Sequence, residues 1–262
     1  MPPRAYYNEN NSYAVQWLKN LIQKQLITTG EVDERPIQDV KPSDLKPFTR
    51  CHFFAGIAGW DLALTSSNWP IDKPVWTGSC PCQPFSTAGK RLQFADERHL
   101  WPFWFHLVSV CRPPVVLGEQ VANGSGPWLD LVCSDLESAD YAVGAAVLPA
   151  AGVGAPHIRD RVFFVAQSNR EGKHGLPVDA EVAAIPQPVA DPHSSRSSLR
   201  RESQLLGQCA PSQRSGWWSV EPRVGRVVDG FPTRAQRLRA YGNAIVPQAA
   251  QVFIEAYLTC AP

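Results

Sequence analysis

Short apolar runs alternate with helical stripes along this chain, and that alternation leaves few architectures open. Residues 49–54 read as a strand entering a glycine turn, 74–77 as a second strand ending at a cysteine-containing loop, and 114–119 as a buried strand. Residues 141–148 and 161–166 read as two more. Residues 13–27 place apolar side chains at positions 14, 17, 18, 21, 22 and 26, which is one face of a helix. Helices are also expected over 60–64, 100–110, 128–138 and 247–258. Strands that alternate with helices predict an α/β fold: a doubly wound, mostly parallel sheet with helices on both faces and ligands beyond the C-terminal strand ends. From about 167 to 222 the pattern gives way to Pro, Ser, Gly, Arg and His, which predicts a loop-rich insert. The expected organisation is a main domain over 1–166, a small lobe over 167–228, and a segment over 229–262 that returns to the main domain.

A chain of 262 residues with 44% hydrophobic content can bury a full core. Its seven cysteines include no CxxC pair, which argues against a zinc ribbon or a disulfide framework and predicts a reducing compartment. No apolar run approaches the roughly 20 residues that cross a bilayer, and the start lacks a signal-peptide core, so a cytoplasmic protein without membrane contact is expected. The net charge of +1 is uninformative as an average. Arginine, however, concentrates from Arg159 onward, as on a phosphate-binding face or in solvated loops.

One stretch carries recognisable chemistry: Ser79-Cys80-Pro81-Cys82-Gln83-Pro84-Phe85-Ser86 follows an apolar strand. A cysteine in a proline-stiffened loop at a strand end can present a thiolate to a substrate, and it can equally be a buried structural thiol.

Five motifs stand in order around it. Phe54-Ala55-Gly56-Ile57-Ala58-Gly59 resembles FxGxGG with Ala58 in place of a glycine, and Pro81-Cys82-Gln83 matches PCQ. Glu119-Gln120-Val121 resembles ENV with Gln120 departing, and His157-Ile158-Arg159-Asp160-Arg161 resembles QxRxR. Gly242-Asn243-Ala244-Ile245-Val246-Pro247 resembles GNxxxP. Together they resemble the DNA cytosine-C5 methyltransferases, which have a Rossmann-like fold that uses S-adenosylmethionine, with a target recognition region between the last two motifs. Only about twenty residues separate the glycine turn from the cysteine loop, where the family has two further βα units. Those units have counterparts at the start: Tyr6-Tyr7-Asn8-Glu9 with the helix after it is similar to NEIDxxA, and Ile37-Gln38-Asp39-Val40 to GDI. The chain therefore looks permuted, its second and third strands preceding the first.

The permutation must be sterically feasible. If Asp39 ends the third strand, the chain must return about 20 Å to begin the first. Eight residues, 41–48, reach about 26 Å when extended, and their prolines suit an extended path. The helix after Gly59 must then either change face or form a rare left-handed crossover.

The resemblance assigns roles residue by residue. Cys82 would add to C6 of cytosine and make C5 nucleophilic, Glu119 would donate a proton at N3, and Arg159 and Arg161 would hold the base carbonyl and the carboxylate. Glu9 would bind the cofactor ribose and Asp39 its adenine, with Phe54, Gly56, Ile57 and Gly59 forming the turn beside the cofactor's methionine part. Asn243, grouped with these cofactor residues, would brace the core or the flipped-base site or cap a helix. Gln83, Ser86, Gly89, Lys90 and Arg91 would meet double-stranded DNA, with the last three in a mobile cover, and the target base would be rotated out of the duplex. The insert, with Trp217-Trp218, would read a small or degenerate sequence. No metal is implied, and a monomer suffices. Two other readings stand beside this one: a DNA-binding homolog that has lost catalysis through Ala58, Gln120 and His157, and an unrelated thiol hydrolase using His99 or His157 as base.

Overall fold

The computed structural model describes residues 4–81, 100–169 and 240–260, which all belong to one compact unit. In chain order its strands are β1 (Ala5–Asn8), β2 (Gly30–Asp33), β3 (Arg50–Phe53), β4 (Val75–Gly78), β5 (Val115–Val121), β6 (Tyr141–Pro149) and β7 (Asp160–Ser168). The helices are α1 (Ser12–Gln23), α2 (Pro42–Leu45), α3 (Gly59–Ser66), α4 (Trp101–Cys111), α5 (Gly126–Ser138) and α6 (Pro247–Cys260). The strands form one sheet in the order β2-β1-β3-β4-β5-β7-β6, parallel except that β7 runs antiparallel to both its neighbours. This is the mostly parallel α/β sheet that the alternating pattern predicts.

Two elements differ from expectation. The third strand in the expected scheme ends at Asp33, and Asp39 lies instead in a 3-10 turn, Ile37–Asp39. The reason is physical: Pro36 cannot donate to a strand ladder, and it starts the turn. Residues 41–48 are likewise not fully extended, because Pro42 opens the one-turn helix α2. Sixteen residues, 34–49, therefore make the return to β3, more than the eight allowed for.

Side chains alternate across the sheet, and the register assigns them to two faces. Ala5, Tyr7, Val75, Leu117 and Phe163 face α1, α3 and α6. Tyr6, Phe53, Trp76, Val116 and Phe164 face α2, α4 and α5. The second face is an aromatic layer of Trp101, Trp104 and Trp128 around Phe164, with ring centroids 6.1–6.5 Å apart. Two strand glycines make room for it: a Cβ on Gly78 would lie 2.6 Å from Trp104, and one on Gly118 would lie 2.0 Å from Phe164.

The two faces settle the handedness. β1–α1–β2 moves toward one edge with its helix on the first face. β2–α2–β3, β4–α4–β5 and β5–α5–β6 move the other way with theirs on the second, so all four share one hand. β3–α3–β4 also moves the second way, but α3 lies on the first face and packs on α6. Its hand is opposite, and since about 98% of such connections are right-handed it is the left-handed one. Of the two outcomes, the connection through the helix after Gly59 is the rare left-handed crossover.

Candidate active site

The C-terminal ends of β1, β3, β4 and β5 lie side by side. Asn8, buried at the end of β1, donates through Nδ2 to the carbonyl oxygens of Asp33 (3.3 Å) and Arg35 (2.8 Å), fixing the exit of β2. Glu9 follows. Its Oε1 accepts from the Asn11 N–H at 2.9 Å, and its Oε2 accepts from the Gly56 N–H at 2.8 Å. The expected ribose ligand and the glycine turn are thus in direct contact, although 47 residues separate them.

The turn itself is built from three left-handed residues, Phe54 (φ 52°), Gly56 (φ 55°) and Ala58 (φ 67°). Only Gly56 adopts this conformation at no steric cost, and a Cβ on it would meet nothing within 4 Å, so the backbone there faces open space. That cradle, beside the Glu9 carboxylate, fits a cofactor laid against the main chain. Phe54 packs edge-on against Trp104, Ile57 is half-buried, and Ala58 is buried beneath α1. Gly59 serves packing: a Cβ on it would lie 2.7 Å from Ile245 Cγ1.

The expected adenine ligand is displaced. Asp39 is exposed in its 3-10 turn, and the acid at the strand end is Asp33. Asp33 accepts from the Tyr6 hydroxyl at 2.6 Å and from Arg35, whose other ion pair goes to Asp44 at 2.6 Å. Burial raises the Asp33 pKa, but Arg35 and Tyr6 outweigh that and hold its carboxyl below the usual range. Tyr6, Asp33, Arg35 and Asp44 line a cleft of about 420 Å³ at this edge.

Glu119, near the end of β5, is buried, and burial pushes its carboxyl pKa up against the opposing pull of Arg161, Ser79 and Arg159. Arg161 Nε lies 2.7 Å from Glu119 Oε1, so the structure brings these two expected site residues together. Arg159 is used differently. Its Nη2 donates to the carbonyl oxygens of Gly242 and Ala244, both at 2.7 Å, tying the start of β7 to the C-terminal motif. Burial and the neighbouring Arg161 charge lower the Arg159 pKa, as expected of a guanidinium held near a like charge. Asn243 is exposed and does not cap α6, which begins four residues later at Pro247.

The strand ahead of the cysteine loop is laced to β5 by contacts the motifs did not announce. Gln120 Nε2 donates to the Cys80 carbonyl at 2.9 Å, and Gln120 Oε1 accepts from the Val121 N–H at 2.8 Å. Ser79 accepts from the Trp60 indole at 3.2 Å and is among the groups that oppose the rise of the Glu119 pKa. The Cys80 side chain is buried in the aromatic layer. Cys82, Gln83, Ser86, Gly89, Lys90, Arg91, His99 and Trp217-Trp218 lie outside the described residues, as does most of the recognition lobe expected over 167–228. Among the described residues no helix is long and apolar enough to cross a membrane.

Comparison with known proteins matches a family model, C-5 cytosine-specific DNA methylase, over residues 68–208. The Type II methyltransferase M.AluI of Cellulosimicrobium cellulans is 30% identical over 181 residues, covering 61% of this chain and 33% of that protein. The Type II methyltransferase M.HhaI of Haemophilus parahaemolyticus is 31% identical over 116 residues, covering 42% and 35%. The matches thus span about a third of the length of these relatives. Among solved structures, a Spodoptera frugiperda DNMT2 variant aligns with a TM-score of 0.42 at 20% identity, covering 72% of this chain and 50% of that one. A putative DNA modification methyltransferase encoded within an E. coli prophage aligns with a TM-score of 0.41 at 19% identity, covering 63% and 40%.

Proposed function

We propose, because this chain belongs to the family of C-5 cytosine-specific DNA methylases, that it methylates C5 of cytosine in double-stranded DNA. The observation that carries the reading is the buried Glu119, paired with Arg161 near the end of β5.

C5 of cytosine is a poor nucleophile and needs the ring activated first. The Cys82 thiolate adds to C6, forming a carbon–sulfur bond and driving electron density toward C5 and N3. Glu119, protonated, donates at N3 and neutralises that charge; its raised pKa keeps the proton available nearer neutral pH. Arg161 orients the carboxyl, and Arg159 holds the C-terminal motif against β7. Once C5 carries the methyl group, loss of the C5 proton to base and expulsion of the thiolate, with the N3 proton returned to Glu119, would restore the aromatic ring. A base stacked in a duplex exposes neither carbon to such a site, so the cytosine is rotated out, with Gln83, Ser86, Gly89, Lys90 and Arg91 toward the DNA.

S-adenosylmethionine supplies the methyl group as an electrophilic sulfonium. Glu9 would hold its ribose and the cradle from Phe54 to Gly59, with Ile57, its methionine part. At the adenine end Asp33 replaces Asp39 as the strand-end acid. In this reading β1 and β2 are the family's second and third strands moved ahead of β3, and the order of the sheet agrees with that rearrangement.

The test is transfer of a tritiated methyl group from S-adenosylmethionine to duplex DNA. Cys82→Ser is expected to lose at least about a thousandfold in rate. Cys80→Ser, whose side chain is packed in the core, should keep activity. Digestion to nucleosides must yield 5-methylcytosine; N4-methylcytosine, or no incorporation by the unmodified chain, would overturn the reading.

A further inference from the structure

The two edges of the sheet are built differently. At one, β2 is 4 residues long and charged, with Glu31 paired to Arg4 and Asp33 to Arg35. At the other, β6 runs for 9 residues, and the stretch 141–156 carries no Asp, Glu, Lys or Arg. Charge and short length protect an edge from pairing with another chain, and β6 has neither. Among the described residues it pairs only with β7. Ala142, Gly144, Ala145, Ala146 and Val147 are exposed, on both faces of the strand, and the apolar Val147 is 56% exposed. The register says which backbone groups point outward. The Ala150 N–H donates to the Arg159 carbonyl at 3.4 Å, one step beyond the Pro149–Asp160 pair, so the even-numbered residues of β6 turn their N–H and C=O toward β7. Val143, Ala145 and Val147 turn theirs away from it.

We propose that β6 is a dimer interface, pairing antiparallel with β6 of a second copy about a two-fold axis at Ala145. In that register Ala145 meets Ala145 and Val143 meets Val147, so the outward residues exchange hydrogen bonds with their own counterparts. Gly144 meets Ala146, and the strand reads nearly alike in both directions, Val-Gly-Ala-Ala-Val. β-Branched residues face each other, small residues fill the centre, and no like charges are opposed. Pro149 ends the ladder because it has no N–H to give. A second copy fits better than an open series of strands, since one two-fold contact uses the edge of both chains and leaves only the charged β2 edges outside. Because β6 runs parallel to β5, the strands of the second sheet run the opposite way. The two Glu119 sites then open in opposite directions, clear of the contact.

Sedimentation of the whole chain tests this. A species of twice the mass of one chain is expected. Ala145→Lys, which sets two ammonium groups against each other at the axis, should weaken the association by at least about tenfold while circular dichroism shows the fold kept. Disulfide trapping reads the register. Under one mild oxidant Ala145→Cys should link to itself faster than the parent chain does, since paired Cα atoms in this ladder lie about 5.5 Å apart. Gly144→Cys should link to Ala146→Cys in a mixture, but to itself no faster than the parent. A Cβ at Gly144 meets nothing nearer than Val165 Cγ1 at 3.8 Å, so the strand accepts the change. Should Ala145→Lys not fold, the cysteine series carries the comparison. A chain that sediments as a monomer at every concentration, a dimer indifferent to Ala145→Lys, or a Gly144→Cys chain that links to itself as fast as Ala145→Cys overturns the proposal.

Discussion

Arg161 and Glu119 form a pair in which each side chain makes the other's burial tolerable. Arg161→Ala strands a carboxylate in the interior, a change that costs about 3 kcal/mol for buried pairs. The Glu119 pKa is already raised, and without its partner it rises further, so the penalty is a charged-form penalty. It should be largest in alkaline buffer and fade as pH falls through the ordinary carboxylate range, below which Glu119 is protonated folded and unfolded alike. Urea unfolding of the variant and the parent across that range checks the sign. Gly118→Ala tests packing instead: the added methyl group meets the Phe164 ring, and overpacking of this kind costs about 2–3 kcal/mol, again read by urea unfolding. Glu119 and Arg161 were pointed to by the resemblance of their motifs, and the structure pairs them. Sequence reasoning could not find the need for Gly118, because nothing local says which ring lies across a strand. It read Gln120 only as a departure, since the bond from Gln120 to the Cys80 carbonyl depends on how β4 and β5 are paired.

Short elements are where local sequence was least informative. β2 is an edge strand of four residues, Gly-Glu-Val-Asp, half-exposed along its length, so it lacks the apolar run that announced β3, β4 and β5. α3 was legible as a helix, but what it buries was not. Its Asp61 lies under the sheet with Oδ1 3.5 Å from Arg50 and 3.4 Å from His52 Nε2, and with Oδ2 accepting from the Thr28 N–H at 2.8 Å. Burial raises the Asp61 pKa, but His52 and Thr28 outweigh it and hold the carboxyl well below its usual range. A depressed folded pKa contributes stability that is present above the unfolded value, about 4, and is lost as pH falls below it. Asp61→Asn should therefore destabilise the chain by about 3 kcal/mol at neutral pH. The gap from the parent should narrow in acid, which thermal melts at both pH values would show.

At the scale of the molecule, the parallel sheet was legible from alternation alone, and the tension over handedness was visible before the faces were known. Its resolution was not, because both outcomes satisfy the same strand order and only the packing of α3 on α6 separates them. The left-handed crossover has an engineering counterpart. Moving residues 4–48 into the loop between α3 and β4 leaves every strand pairing possible and connects the end of α3 to the start of β1, removing that crossover. The rearranged chain should melt cooperatively at a temperature no lower than the parent's; loss of cooperative melting would count against the strand order being independent of connectivity.

The bond between Glu9 and Gly56 has a further consequence in the order of synthesis. The acid leaves the ribosome 47 residues ahead of the amide that holds it. A nascent chain halted before β3 carries the acidic half of the cradle without the glycine half, while the β1 edge that will pair with β3 stays open. The waiting strand is short, and its residues Tyr6 and Tyr7 are among those buried in the finished sheet. Cofactor retention should therefore begin abruptly in a series of stalled chains, once the turn at Phe54 to Gly59 has emerged, and not grow in steps with length.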